Sequence, residues 1–335
     1  MKFSGEVIQK FLTYTEKERT LKQVCDHLKM SELEVMGLVS YMKSNGVNIA
    51  TKNKTKTISM INKGDLMYPE SKVQQFYSGE DNEFKFIVIA DTRLGSKYQQ
   101  LSTLNSIYRK GYEEGYHHVF LCGNISAGVY NLKDDRSDMN FINDAYEQID
   151  YIVKYYPQVE GIKTYLVNGK TDYKHLKKNI TSIGKKLAEG RDDFVYLGNL
   201  SANVKIDNVN MQILAPTLSK TYTVSYRPQQ QIDSYRSEDK PDILLMGGYL
   251  QMEKFTYRGV TEISVPSVCA TTPKMNDRRY SNTVGTWYVT VKTDEKGNLK
   301  NVIAMNSPYY LTGKNDYKVA KVLKKVMKKG DDHNV

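Results

Sequence analysis

Cysteine is scarce in this chain. Only Cys25, Cys122 and Cys269 occur in 335 residues. An odd number without metal-ligand spacing excludes a disulfide framework and reads as reduced thiols in a cytosolic protein. No apolar run approaches the roughly 20 residues that cross a bilayer, so no membrane partner is expected. The first residues, MKFSGEVIQKF, lack a signal-peptide core, because Glu6 and Lys10 interrupt it. Repeats and low-complexity tracts are missing too. What is present is a composition of 40% hydrophobic, 26% charged and 11% aromatic residues. That can bury a core, and it excludes disordered and collagen-like classes. The formal charge is +10 and the isoelectric point about 9.1, which puts nucleic acid first among partners to consider. Surplus lysine is equally an ordinary solubilising surface.

Residues 1–65 read as three helices and a hairpin. Gly5–Tyr14 is a short apolar-periodic helix. Thr20 caps a second, with Leu21, Val24, Cys25 and Leu28 on one face. Ser31 and Glu34 form a capping box for a third, which stops at Asn45-Gly46. Two alternating strands come next, VNIAT and KTISMI. Three helices and a two-stranded wing make the winged helix-turn-helix pattern, whose third helix enters the major groove while the wing lies on phosphate. The region carries 11 Lys/Arg against 7 Asp/Glu. Lys43, Lys52, Lys54 and Lys56 are its candidate DNA contacts. Glu32 and Glu34 stand where base-reading residues usually lie, so protein contact or dimerisation is the competing reading.

Residues 66–82 lack a period and read as a linker. Beyond them, strands alternate with helices: FKFIVIAD, a helix over 96–114, HVFLC, a helix over 139–155, KTYLVN. This predicts a parallel sheet in an α/β domain spanning 83–312. Later strands (FVYL, NMQILAP, DILLMG, KFTYRG, TEISVP, TWYVTV, NVIAMN) crowd together and predict a second sheet packed on the first. Residues 313–335 read as a basic tail. Within it, Val319, Val322, Leu323, Val326 and Met327 form one apolar stripe among lysines. It either docks on the body with a solvated face or shows its lysines to phosphate.

Ligands of open α/β sheets bind at the carboxyl ends of the strands. Those ends read Ala90-Asp91-Thr92-Arg93-Leu94-Gly95, Cys122-Gly123-Asn124, Asn168-Gly169-Lys170-Thr171-Asp172, Leu214-Ala215-Pro216 and Met246-Gly247-Gly248-Tyr249-Leu250. From about Phe84 to Tyr310 the chain resembles the calcineurin-like metallophosphoesterases, the superfamily that includes the Mre11-type nucleases. The resemblance implies a two-sheet αββα sandwich. A winged helix placed before it resembles phosphoesterase proteins of phages and bacteria. Family members carry D-x-H, G-D, G-N-H-D, a single His and G-H-x-H at these strand ends, holding two divalent metals that activate water and clamp phosphate.

The departures from that pattern are chemical. Asp91 matches the first ligand. Arg93 stands in place of His, Asn124 of the bridging Asp, Lys170 of Asn and Thr171 of the catalytic His. Ala215 replaces the single His, and Gly248 and Leu250 replace both His of the last motif. Asp172 matches a supporting residue. Ala, Gly and Leu offer no donor side chain, and Arg can neither accept nor deprotonate. The five histidines, His27, His117, His118, His175 and His333, fall at none of the ligand positions. The expectation is no metal, no cofactor and no catalytic residue, with Arg93 and Lys170 pairing Asp91 in the metals' place. Arg93, Lys97, Lys170, Lys174, Arg278 and Arg279 are candidate phosphate contacts.

Three functions are consistent with these readings, in order. The first is a non-catalytic DNA-binding regulator of transcription or replication, phage-encoded in one version and then working in the host cytoplasm, with a homodimer as its simplest assembly. The second is an interaction scaffold or accessory subunit without DNA binding, its partner a polymerase or regulator. The third is an active phosphodiesterase whose metal site has moved.

Overall fold

The computed structural model describes residues 5–15, 19–44, 49–52, 57–60, 73–129, 137–177, 182–216, 223–277, 282–310 and 316. The chain divides into two units, Met1–Glu70 and Ser71–Val335.

The first unit runs α1 (Gly5–Tyr14), β1 (Arg19–Thr20), α2 (Leu21–Leu28), α3 (Glu32–Ser44), β2 (Ile49–Lys52) and β3 (Thr57–Met60). Its helix starts are written in local chemistry. Thr20 and Gln23 exchange hydrogen bonds, the Gln23 N–H donating to Thr20 Oγ1 at 3.3 Å and the Thr20 N–H to Gln23 Oε1 at 2.9 Å. Ser31 and Glu34 repeat the box at α3, and those bonds hold the Glu34 carboxyl below its usual range. Such caps contribute about 1 kcal/mol each. Phe11, Val24, Val35, Leu38, Ile49 and Ile58 close the core. The short β1 was not legible in the sequence. It pairs antiparallel with β3, giving a three-stranded sheet in the order β1-β3-β2. Asn45-Gly46, Lys54 and Lys56 lie outside the described residues. So do the side chains of Lys43, at the end of α3, and Lys52, at the end of β2.

The second unit is a mixed α/β sandwich of two six-stranded sheets. In the first sheet β5 (Glu83–Ile89), β6 (His118–Cys122), β7 (Lys163–Asn168) and β8 (Phe194–Asn199) are parallel, while β14 (Gly285–Thr293) and β15 (Leu299–Pro308) extend it antiparallel in the order β15-β14-β5-β6-β7-β8. Its outer face is covered by α4 (Leu101–Glu113), α5 (Ala145–Tyr155) and α7 (Ile183–Gly190). The second sheet has the order β12-β13-β11-β10-β9-β4. It uses β4 (Gln74–Phe76), β9 (Ser201–Ile206), β10 (Val209–Leu214), β11 (Ile243–Met246), β12 (Glu253–Tyr257) and β13 (Val260–Ser264). The helix α6 (Lys170–Lys177) follows β7, and α8 (Tyr226–Asp233) packs Ile232 onto Leu244, Met246 and Val260 of the second sheet.

The main core lies between the sheets, among Phe86, Phe120, Val204, Ile213, Leu245 and Val289. Each such buried side chain contributes about 1.5–3 kcal/mol. Trp287 crosses the layer and donates its indole N–H to the Ser264 carbonyl at 3.0 Å. The parallel strands are near-continuous apolar runs because both of their faces are covered.

Several boundaries differ from the sequence reading. Part of the stretch read as a linker is strand: β4 pairs with β9 and buries Phe76. Residues 91–100 form a loop, so the helix read over 96–114 begins at Leu101. The helix read from 139 begins at Ala145, where Asp144 caps it. A run of only three residues conceals β4, and the capping side chain, not the hydrophobic period, sets where α5 starts. Of the basic tail only Asp316 is described. Arg278 and Arg279 lie outside the described residues.

Candidate functional site

The site is built from strand ends. After β5, Asp91 and Arg93 take left-handed backbone, with φ of 53° and 44°; Asn124 after β6 (58°) and Leu250 after β11 (62°) do the same. Each such non-glycine residue costs on the order of 1 kcal/mol, and strain of this kind concentrates where side chains must be aimed. The ends also pack against each other. A Cβ on Gly123 (φ 90°) would fall 2.6 Å from the Ala215 Cβ, and one on Gly247 would fall 1.8 Å from the Cys122 carbonyl oxygen. Glycine at both positions lets β6 approach β10 and β11.

At the centre is Asp91, fully buried. Its Oδ1 accepts three hydrogen bonds: from Arg93 Nε at 3.0 Å, from an Arg93 Nη at 2.8 Å and from Asn124 Nδ2 at 3.0 Å. Among the described residues its Oδ2 has no hydrogen-bond partner. The Arg93 side chain is 26% exposed, so the ion pair closes a buried charge with a partner that reaches solvent. Asn124 carries the geometry onward. Its Oδ1 accepts from the Thr171 N–H at 3.0 Å and from Thr171 Oγ1 at 2.9 Å. The amide thus reads a carboxylate on one side and donors on the other, which an aspartate could not do.

Asp172 is a second buried acid with a structural task. It accepts from the backbone N–H groups of Ile125, Ser126 and Gly169 and from Ser126 Oγ, tying β6 to the start of α6. Burial pushes its pKa up, and these bonds oppose the shift. His175, fully buried, lies 3.5 Å from Ser126 Oγ through Nε2. Ala215 is buried beside Gly123, a Cβ on Gly248 would fall 3.0 Å from the Pro216 carbonyl oxygen, and Leu250 accepts the Thr283 N–H through its carbonyl.

Not every expected partner arrives. Asp91 is bound by Arg93 and Asn124, not by Lys170, which is exposed at the first position of α6. Lys97 is also exposed, and Lys174 is half-buried. Two thiols also lie near the carboxylate: Cys122, at a strand end already named, and Cys269, which sequence reasoning did not place there. Burial pushes the Cys269 thiol up to about 12, with Arg93 and Asp91 acting on it in opposite directions, and Cys122 is likewise raised by burial and by Asp91. Ser267 donates through Oγ to the Asp91 carbonyl at 3.4 Å. No local pattern marks Cys269 or Ser267, because they reach the site from a loop about 175 residues away in the chain.

Several solved structures are similar to this chain. One is a conserved predicted phosphoesterase from Streptococcus pneumoniae, at 9% identity and a TM-score of 0.31, over 68% of this chain and 98% of that one. Another is vacuolar protein sorting 29 from Cryptosporidium parvum, at 12% identity and 0.34, over 68% and 100%. A putative 5'-nucleotidase from Staphylococcus aureus aligns at 10% identity and 0.35, over 73% and 58%. No family model matches the chain, and no curated protein matches it.

The donor set around Asp91 does not suit a pair of divalent cations. Oδ1 is already held by a permanent cation, and two like-signed charges about 4 Å apart repel by several kcal/mol at moderate effective dielectric. Among the described residues no three His, Cys, Asp or Glu side chains gather as a metal would need. What the cluster can do is hold a fixed, partly exposed guanidinium at the mouth of the converging strand ends.

Proposed function

We propose that this protein is a non-catalytic DNA-binding regulator built on a calcineurin-like phosphoesterase sandwich, in which an internal salt bridge stands where the hydrolytic metals would lie. The observation that carries the reading is Arg93 bound twice to Asp91 Oδ1. A guanidinium there supplies one positive charge without a Lewis acid or an activated water, so phosphate would be held and not cut. The N-terminal unit supports the nucleic-acid half of the proposal. Its order of helix, short strand, two helices and hairpin, with β3 between β1 and β2, supports reading it as a winged helix-turn-helix.

The test has two arms. Fluorescence anisotropy of the full chain on duplex DNA should show binding that weakens steeply between about 50 and 200 mM salt. A diester substrate with Mn²⁺ should remain intact. No binding at the lowest salt refutes the DNA half; hydrolysis lost on Asp91→Ala refutes the other.

A second reading has its own observation. On α3, Leu33 is 84% exposed and Met36 42%, flanking the acidic Glu32. Phosphate does not favour such a face, whereas a protein does. A partner or second copy seated there would make the unit an interaction module, and Leu33→Asp would abolish that assembly, read by light scattering of the full chain.

A further inference from the structure

One edge of the first sheet is β15, a strand of ten residues. It pairs with β14, and among the described residues no strand lies on its other side. In an antiparallel ladder alternate residues turn their N–H and C=O groups to opposite neighbours. Three observations fix the phase here. Just past the strand, the Tyr309 N–H donates to the Val284 carbonyl, so the residues bonded to β14 are the odd-numbered ones, from 309 back to 301. Lys254 Nζ donates to the Val302 carbonyl at 2.6 Å, from outside that ladder. Pro308, which has no N–H to give, stands at an outward position where β14 needs none. Lys300, Val302, Ala304, Asn306 and Pro308 therefore turn their backbone groups to the edge.

The odd-numbered side chains lie on the face of the sheet that carries α4. Met305 stands opposite Tyr288 and Ile303 opposite Thr290, and Lys110 of α4 lies over the Tyr288 ring at 4.9 Å. Yet Met305 is 50% exposed and Ile303 41%. The edge also has little of the charge that usually keeps strand edges apart. Lys300 is the single charged residue of the strand. Lys254 occupies one lone pair of the Val302 carbonyl and leaves the other.

A second copy of β15 satisfies the backbone groups and the apolar side chains in one register. Antiparallel pairing about a two-fold axis at Ala304 sets Ala304 against its own counterpart, Val302 against the partner's Asn306 and Lys300 against the partner's Pro308. All of these are outward residues, so each facing pair can exchange backbone hydrogen bonds, short only of the proline N–H. The same register sets Ile303 against the partner's Met305 on the exposed face. A shift of the axis by half a residue would face outward groups with groups already bonded to β14. Whole-residue shifts keep the phase but set Met305 or Ile303 against a polar side chain, Asn301 or Ser307. The two Lys300 side chains fall at opposite ends of the ladder, about 27 Å apart, where they do not repel.

We propose that β15 is a homodimer interface: two copies of this chain join their first sheets edge to edge through antiparallel β15 strands, with the two-fold axis at Ala304. The pairing does not depend on the function proposed above.

Sedimentation equilibrium of the full chain tests it. The wild type should dimerise reversibly. Ala304→Pro removes an outward N–H and no bond to β14, so the fold should persist by circular dichroism while the dimer dissociation constant rises about tenfold or more. Ile303→Glu should weaken the dimer in the same way. Adding Met305→Lys should restore it, because each carboxylate then faces the partner's ammonium. A monomer at every concentration overturns the proposal, as does a dimer that Ala304→Pro leaves intact. No recovery in the double variant overturns the register and the proposal with it. A dimer lost on Leu33→Asp but kept in Ala304→Pro would seat the contact on α3 instead.

Discussion

Replacing Glu262 by glutamine should remove a pH dependence of stability that the fold builds in. Glu262 lies in β13 with no exposed surface, its face shared with Leu244 on β11 and Val260 on its own strand. Its Oε1 accepts the Ser264 hydroxyl at 2.8 Å, and among the described residues its Oε2 has no hydrogen-bond partner. Burial pushes the carboxyl from 4.5 up to about 8, and Glu253 adds to the rise. Below 4.5 the acid is protonated whether the chain is folded or not. Between there and about 8 the unfolded chain releases the proton and the folded chain keeps it, so stability falls as pH rises; above about 8 the loss is complete. At about 1.4 kcal/mol per pH unit, the loss amounts to at most about 5 kcal/mol, a large share of the total for a domain. Glutamine keeps the acceptor for Ser264 and has no proton to lose. Urea unfolding at several values from about pH 5 to 8 should therefore show Glu262→Gln gaining on the wild type as pH rises. Because the comparison is between two chains, other titrating groups cancel. Parallel stability curves for the two would refute the reasoning.

The site makes predictions of the same kind. Arg93→Ala leaves Asp91 buried without its cation and should cost about 3 kcal/mol in urea unfolding, a cost that shrinks in an Asp91→Asn background; additive effects would contradict the ion pair. Asn124→Asp replaces a donor 3.0 Å from Asp91 with a second carboxylate, so the midpoint of unfolding at neutral pH should fall, with partial recovery on acidification. His118 stacks on Phe84 and is pushed down to about 4 by burial. It stays neutral in the fold where the unfolded chain would bind a proton, so stability is lost as pH falls through about 6.5 to 4. His118→Phe should flatten that acid limb in a thermal scan.

Much of the first sheet was readable because its parallel strands are buried on both faces. A run such as FKFIVIAD has no other soluble destination, and Gly-containing ends announce where each strand stops. The helix caps at Thr20 and Ser31 were readable for a similar reason: they are made by residues three apart. Short or two-faced pieces escaped. Neither β1 nor β4 holds enough residues to show a period, and each exists only because a partner strand supplies its hydrogen bonds. At the site, the residue types by themselves ruled out most metal ligands, since Ala, Gly and Leu have no donors wherever they lie.

Which charges actually meet was a matter of three dimensions. The sequence offered Arg93 and Lys170 alike as partners for Asp91. Left-handed backbone at Asp91 and Arg93 folds the guanidinium back onto the carboxylate two residues away, while the start of α6 carries Lys170 to the surface. Composition and local periodicity therefore determined the two-sheet α/β body and the chemistry missing from its strand ends. Tertiary packing alone decided the pairing of Asp91 with Asn124, the approach of Cys269 and the burial of Glu262, because these depend on contacts between segments far apart in the chain, which no local pattern encodes.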